Sequence, residues 1–168
     1  MIKLLSRNML RFILLVLAQV LIFNNIEISG YLTPYVYILF LILLPFETPG
    51  WVILISGFFL GFIMDIFSET MGMHTAATTF AAYMRPIALR IFAPREGYET
   101  GSLPRVHYFG LAWFIRYAAF IVIAHHLVLF YVEMFRFQNF FFTFSRVILS
   151  SIFSITLIVL SQYFVFRK

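Results

Sequence analysis

Asp65 and His74 form the pair of side chains whose types and spacing first suggest chemistry. They stand nine positions apart at the end of an apolar run, and a carboxylate near an imidazole can relay protons or bind a metal ion. The pair alone supplies too few ligands for a tetrahedral zinc site. Helix capping and loop hydrogen bonds by Asp65 explain the pair without any reaction, so the structural and the chemical interpretations both stay open.

His125 and His126, with Glu133 beyond them, superficially resemble a metal site. Adjacent residues of a helix point about 100° apart, so the two imidazoles are not expected to converge on one ion. The sequence has no His-Glu-x-x-His pattern, phosphate-binding loop, nucleophile elbow or dinucleotide fingerprint. It also has no cysteine, which excludes thiolate ligands and disulfides. We therefore predict that the chain is not an enzyme and has neither a metal site nor a cofactor.

Arg85 and Pro86 interrupt an otherwise apolar stretch. Proline breaks or kinks a helix, and an arginine inside hydrocarbon is costly unless it reaches the interface or finds a partner. One interpretation is that Arg85 snorkels to the interface while residues 87–92 form an interfacial helix. The other is that Arg85 pairs with a carboxylate of a partner protein or with Asp65. Arg116 and Arg146 are likewise expected to snorkel, or to pair with lipid headgroups or a partner.

Gly57 and Gly61 form a Gly-x-x-x-Gly motif within one apolar run. Small residues four apart share a helix face and let two helix backbones approach closely. The motif predicts either packing within this chain or contact with the helix of a separate protein.

The composition determines what kind of element must position these residues. Of 168 residues, 62% are hydrophobic and only 11% charged, too few charges for the surface of a water-soluble domain. The net charge is +5, but the basic residues stand at the ends of apolar runs, which predicts membrane orientation rather than nucleic-acid binding. The fold class predicted is an all-α membrane protein with a single domain over residues 1–168.

Six apolar runs are long enough to be transmembrane helices, since a span needs roughly 20 residues. The first is interpreted as a retained helix rather than a signal peptide, because no cleavage site of small residues follows it. Period-two alternation is missing from the runs, which argues against strands. The predicted spans cover residues 5–23, 31–46, 51–67, 75–92, 108–132 and 140–166, with a loop over 93–107.

The arrangement of lysine and arginine predicts the orientation, because basic residues accumulate on the cytoplasmic side. Both termini and the 93–107 loop are therefore expected in the cytoplasm. The other side carries only Arg136. The predicted cytoplasmic side carries eight basic residues, Lys3, Arg7, Arg11, Arg90, Arg95, Arg105, Arg167 and Lys168.

Several short motifs, in order along nearly the whole chain, resemble those of MreD, the bacterial rod shape-determining membrane protein family, and of its Bacteroidetes branch in particular. The motifs are Pro34-Tyr35…Leu43-Leu44-Pro45, Gly57-Phe58-Phe59-Leu60-Gly61…Asp65, Gly72-Met73-His74-Thr75-Ala76-Ala77, Tyr83-Met84-Arg85-Pro86 and Pro94-Arg95-Glu96-Gly97-Tyr98-Glu99.

The resemblance implies a non-catalytic scaffold or regulator in the bacterial inner membrane. Members of the family bind MreC, a protein with one transmembrane helix. They belong to the cell-elongation machinery, which links MreB filaments to RodA and a penicillin-binding transpeptidase in peptidoglycan synthesis. The family's fold is thought to be similar to the substrate-binding subunit of energy-coupling-factor transporters, and a shared fold alone does not transfer function.

Two hypotheses concern which residues contact partner proteins. In the first, Gly57, Gly61 and Asp65 line a groove for the single helix of an MreC-like protein. In the second, residues 94–99 contact cytoplasmic partners or order the inner face of the bundle. The alternative function is a substrate-binding subunit for a vitamin, with an outward-opening polar pocket. Its candidate residues are Glu27, Asp65, His74 and Glu133.

Overall fold

The computed structural model describes residues 2–26, 33–99, 101–134 and 140–165. The regular structure in these ranges is entirely helical, with no strand among the described residues. A 3-10 turn, Phe23–Asn25, follows the first helix. The helices are α1 Ile2–Leu21, α2 Leu39–Ile42, α3 Gly50–Ser68, α4 Met73–Ile91, α5 Val106–Phe109, α6 Leu111–Met134 and α7 Phe140–Val165.

Four stretches of the described chain are helical, long and apolar enough to cross a membrane: Arg7–Asn25, Gly50–Ser68, Leu111–Met134 and Phe140–Phe164. Helix α4 has 19 residues, as many as α3, but it is too polar to join this group. The helix contains three threonines and the charged side chain of Arg85. The chain is therefore a helical membrane protein in which α4 must be covered mainly by protein.

Helix α4 lies between α3 and α6, and α6 packs against α7 on its other side. Helix α1 contacts α2 and α3. The short helix α5 is separated from α6 by Gly110, whose φ of +79° is a left-handed conformation that favours glycine. The predicted loop over residues 93–107 thus runs directly into α5 rather than into a single long helix beginning at residue 108.

The prediction of a continuous helix over residues 31–46 is wrong for the described part of that run. The chain is non-helical from residue 33 to residue 38, forms only the four residues of α2, and leaves the helix at Leu43. Proline at both ends and β-branched or aromatic residues near Pro34 disfavour a long helix. Every residue from 34 to 44 is buried. We call residues 33–47 the central segment.

Contacts distinguish the two ends of the bundle. At the arginine end, Arg7, Arg11 and Arg105 line one crevice. Near them the backbone N–H of Gly101 donates to the Glu47 carboxylate at 3.1 Å. At the opposite, polar end, one cavity is lined by residues of the α3–α4 turn, the end of α6 and the start of the central segment. The central segment runs from the polar end towards the arginine end.

Candidate functional site

Gln19 of α1 holds the first half of the central segment. Its side-chain oxygen accepts from the backbone N–H groups of Val36 at 2.8 Å and Tyr37 at 3.3 Å. Its side-chain nitrogen donates to the carbonyl of Pro34 at 2.9 Å and to the side chain of Asn24 at 3.0 Å. A backbone that is not helical must find such partners inside a membrane protein, since lipid supplies none. The fully buried side-chain amide of Gln19 therefore supplies some of the hydrogen bonds that a helical backbone would make within itself.

Other helices hold the second half of the segment through its carbonyl groups. Arg11 donates to Leu43 at 3.1 Å, and the Tyr117 hydroxyl of α6 donates to Ile42 at 3.1 Å. On α1, Arg11 and Gln19 stand eight residues apart, or about 12 Å along the helix axis. The central segment therefore passes through the bundle alongside α1 and is hydrogen-bonded to it at two levels.

The position of Arg85 differs from both predictions made from the sequence. It neither snorkels to the interface nor pairs with Asp65, because it is fully buried and donates to the carbonyls of Leu44 and Pro45. Helix α4 continues through Pro86 to Ile91, so residues 87–92 do not form a separate interfacial helix. Arg85 thus anchors the end of the central segment.

A buried cluster of tyrosine and histidine lies at the start of the segment. The Tyr37 hydroxyl bridges Nδ1 of His74 at 2.9 Å and Nε2 of His125 at 2.7 Å. Because one hydroxyl donates a single hydrogen, it accepts from one imidazole and donates to the other. The ring of Tyr35 packs against His74, His125 and His126, with centroids 5.4 to 5.9 Å apart.

His126 completes this network on the side of α7. Its Nδ1 lies 2.7 Å from the carbonyl of Val122, so that nitrogen carries the proton, and its Nε2 lies 3.4 Å from the Ser154 hydroxyl. Ser154 in turn accepts from the backbone N–H of Tyr35 at 2.9 Å. The two adjacent histidines therefore both face the core, with ring centroids 5.2 Å apart, although they contact different partners. Within the described ranges, no three potential metal ligands are grouped to hold an ion.

Asp65 caps helix α4 from the neighbouring helix. One carboxylate oxygen accepts from the backbone N–H of His74 at 2.9 Å and from the Thr70 hydroxyl at 2.5 Å. The other accepts from the N–H of Thr75 at 2.9 Å and from its hydroxyl at 2.5 Å. A carboxylate at a helix N-terminus satisfies free N–H groups and faces the positive end of the helix dipole. Asp65 and His74 therefore meet through the backbone of α4, not through the imidazole.

Gly57 and Gly61 lie in the contact between α3 and α4. A β-carbon at Gly57 would lie 2.7 Å from Cβ of Ala82 and 2.9 Å from the carbonyl oxygen of Thr78. A β-carbon at Gly61 would overlap backbone atoms of His74 and Thr75. The hypothesis that these glycines line an open groove for a partner is therefore not met, because α4 of the same chain covers that face.

Within the predicted cytoplasmic loop, residues 94–99 form a turn at the arginine end. Pro94 accepts from the N–H of Gly97 at 3.0 Å, while the side chains of Arg95 and Glu96 are exposed. Tyr98 stacks on Phe46 at 4.2 Å between ring centroids, and its hydroxyl donates to the carbonyl of Leu89 at 2.7 Å. Burial raises the pKa of Tyr98 to about 12, so the hydroxyl keeps its proton at neutral pH. This turn docks onto the bundle through Tyr98 and presents Arg95 and Glu96 to solvent.

The remaining arginines in the runs differ from each other. Arg146 forms an ion pair with Glu133 at 2.9 Å and lies 4.3 Å from the ring centre of Phe130. Arg116 is exposed and its Nε donates to the carbonyl of Ala112 at 3.2 Å. Snorkelling of Arg116 stays a prediction, whereas Arg146 has a carboxylate partner within the chain.

Open spaces adjoin the described helices at the polar end and on the outer side of α3 and α4. The cavity at the polar end has a volume of about 420 Å³ and is lined by Asn24, Thr33, Tyr35, Phe67, Ser68, Glu69, Thr70, Met73, His74, Leu129 and Glu133. A groove between α3 and α4, of about 720 Å³, faces outward and is lined by Leu54, Phe62, Gly72, Thr75, Ala76, Thr79, Phe80 and Tyr83.

No protein-family model, curated protein or solved structure matches this chain.

Three structural residues of the core, Gln19, Tyr35 and Tyr37, were not predicted from the sequence. A signal was present for Gln19, because a lone amide in an apolar run must find hydrogen-bond partners inside a membrane. The two tyrosines enter the core only because of the irregular path of the central segment, which no local sequence pattern predicts. Glu27, a candidate for the pocket, lies outside the described residues.

Proposed function

We propose that this chain is a non-catalytic scaffold or regulator in the bacterial inner membrane, of the MreD kind. It crosses the membrane six times with both ends in the cytoplasm and holds the transmembrane helix of an MreC-like partner. Through that partner it supports peptidoglycan synthesis by RodA and a penicillin-binding transpeptidase, with MreB linked indirectly. The sequence motifs quoted above are the basis of the family assignment.

The six-crossing topology is supported by the path of the central segment. Its start contributes Thr33 and Tyr35 to the cavity at the polar end, and its end contacts Arg11, Arg85 and the Gly101 backbone. A crossing made of irregular backbone is tolerated in a membrane protein where protein encloses it. The grouping of Arg7, Arg11 and Arg105 at one end supports a cytoplasmic location for that end.

The observation that carries the scaffold proposal is the outward groove between α3 and α4. Its α4 wall presents small side chains, Thr75, Ala76 and Thr79, framed by Phe80 and Tyr83. Small residues allow a second helix to approach closely, and the groove wall is almost entirely apolar, since the polar side chains His74, Thr78 and Arg85 of α4 point into the chain's own core. The groove therefore suits one transmembrane helix of a partner, and it replaces the glycine face as the proposed docking site.

Replacing Ala76 with phenylalanine should fill this groove without disturbing the core, because Ala76 is exposed. Recovery of an MreC-like single-span protein by co-purification is expected to fall about tenfold, since a bulky side chain in a packed contact costs on the order of 1–3 kcal/mol. The matched control is Ala112→Phe on the exposed face of α6, which should leave recovery unchanged. Equal recovery with both variants would rule out the groove as the docking site.

A second candidate function is a substrate-binding membrane subunit for a small molecule such as a vitamin. The polar-end cavity favours it, because about 420 Å³ lies within the range of small-ligand sites and its wall includes His74, Glu69 and Glu133. Asp65 is not part of that wall, because its oxygens are engaged in capping α4.

Mass spectrometry of gently solubilised protein tests this candidate. A bound small molecule should be retained by the wild type and lost in the variant Glu69→Gln, with Glu99→Gln as a control outside the cavity. Recovery of an MreC-like protein without any retained molecule would instead favour the scaffold.

A further inference from the structure

A third open space lies between α1 and α7 and is bounded by the central segment. It has a volume of about 730 Å³. Its walls are almost entirely apolar side chains, Leu10, Leu14, Leu15, Ala18, Phe23, Val36, Leu39, Leu43, Leu157, Leu160 and Phe164. We call this space the α1–α7 crevice.

The crevice has a charged mouth at the arginine end. Arg7 and Arg11 stand one turn apart on α1, and Arg105 reaches the same place from the residues before α5. No acidic residue is among the described residues that line the crevice. Burial and, after it, the positive charge of Arg7 lower the pKa of Arg105, so like charges are held close together there. Three guanidinium groups that close together would attract a phosphate anion.

The dimensions of the crevice suit a lipid. Below the arginines, from Arg11 to Phe23, it follows α1 and the turn after it for about 18 Å. That length is about half of the roughly 30 Å hydrocarbon core, the depth of one leaflet. The apolar part begins directly beneath the arginines, which is the order of headgroup and acyl chain in a phospholipid.

We propose that the α1–α7 crevice binds one anionic phospholipid from the leaflet at the arginine end. An acyl chain lies along α1 from below Arg11 past Leu14 and Ala18 to Phe23, and the headgroup phosphate is bound by Arg7, Arg11 and Arg105. Guanidinium groups match phosphate oxygens in geometry and charge, and basic residues at the cytoplasmic surface attract anionic lipids. The site needs only a membrane around the chain, so it is independent of the partner proposed above.

The experiment uses the purified full chain in detergent and native mass spectrometry with added phosphatidylglycerol or phosphatidylcholine. The wild type is expected to retain phosphatidylglycerol preferentially. Each arginine lost should weaken that binding about fivefold, so Arg7→Gln with Arg105→Gln should weaken it about 25-fold. The matched control, Arg90→Gln with Arg95→Gln, removes two exposed charges elsewhere on the cytoplasmic side and should retain the preference.

Two further arms separate a lipid from a free phosphate. Ala18→Phe, which narrows the apolar part and leaves the arginines intact, should also reduce phosphatidylglycerol binding. Inorganic phosphate at equal concentration should not displace the lipid. Equal retention of phosphatidylcholine, equal loss in both double-arginine variants, or full displacement by inorganic phosphate would each overturn the proposal.

Discussion

Gln19→Leu is expected to lower the free energy of unfolding by about 3–6 kcal/mol. The change leaves the N–H groups of Val36 and Tyr37 and the carbonyl of Pro34 without their partner in a buried place. Each backbone group left unsatisfied in such a site costs on the order of 1–3 kcal/mol. Because lipid offers no replacement, the central segment should lose its path through the bundle. The measurement is the unfolding midpoint of the purified protein in detergent with added denaturant.

Gln162→Leu is the matched control for this prediction. Gln162 is also buried in an apolar helix, but neither polar atom of its side chain has a hydrogen-bond partner among the described residues. The same substitution there removes a buried amide but leaves every hydrogen-bond partner of the central segment in place. The free energy of unfolding should therefore stay the same or rise. If both variants unfolded at the same midpoint, the role assigned to Gln19 would be wrong.

Gly61→Ala is expected to destabilise the isolated chain by about 1–3 kcal/mol, the usual cost of overpacking a close contact. Two of the three atoms that a new β-carbon would meet, the His74 carbonyl oxygen and the Thr75 α-carbon, belong to the backbone of α4 and cannot rotate away. Forcing extra volume into such a contact must separate α3 from α4, and that shift would also disturb the capping bonds from Asp65. Thermal unfolding in detergent, without any partner protein, measures the effect.

Gly50→Ala provides the control within the same helix. A β-carbon at Gly50 meets nothing within 4 Å, so alanine there should be neutral or slightly stabilising through its higher helix propensity. A Gly61→Ala variant as stable as the wild type, yet unable to bind a single-span partner, would restore the glycine face as a partner site. Loss of a partner in a destabilised variant would say nothing about docking.

Mutations in the conspicuous motifs are expected to affect folding, whereas mutations at exposed positions are expected to affect binding. The motif residues that contact other parts of the same chain in the described structure are Gly57, Gly61, Asp65, His74 and Arg85. Their replacement is expected to act first on folding. Residues of the outer groove, such as Ala76, and of the crevice mouth, such as Arg7, are exposed and therefore report more directly on binding.

Local sequence patterns predicted much of the architecture. Hydropathy located the long helices α1, α3, α6 and α7 to within a few residues, because the transfer of apolar side chains into lipid depends on residue type and run length. The grouping of Arg7, Arg11 and Arg105 likewise follows from basic residues at the ends of alternate runs. These properties are local, so one chain without structural knowledge is enough to estimate them.

Local sequence patterns did not predict the backbone conformation of the central segment. Residues 31–46 are as apolar as a transmembrane helix, and residues 34–44 are indeed out of contact with water, buried within the bundle. Whether its backbone is helical depends on partners far away in the chain, namely Gln19, Arg85, Tyr117 and Ser154. Side-chain hydrophobicity determined by itself that this protein belongs in a membrane. Only the tertiary structure decided which backbone groups bond to their own helix and which to distant side chains, because hydrogen-bond satisfaction is a property of the whole bundle.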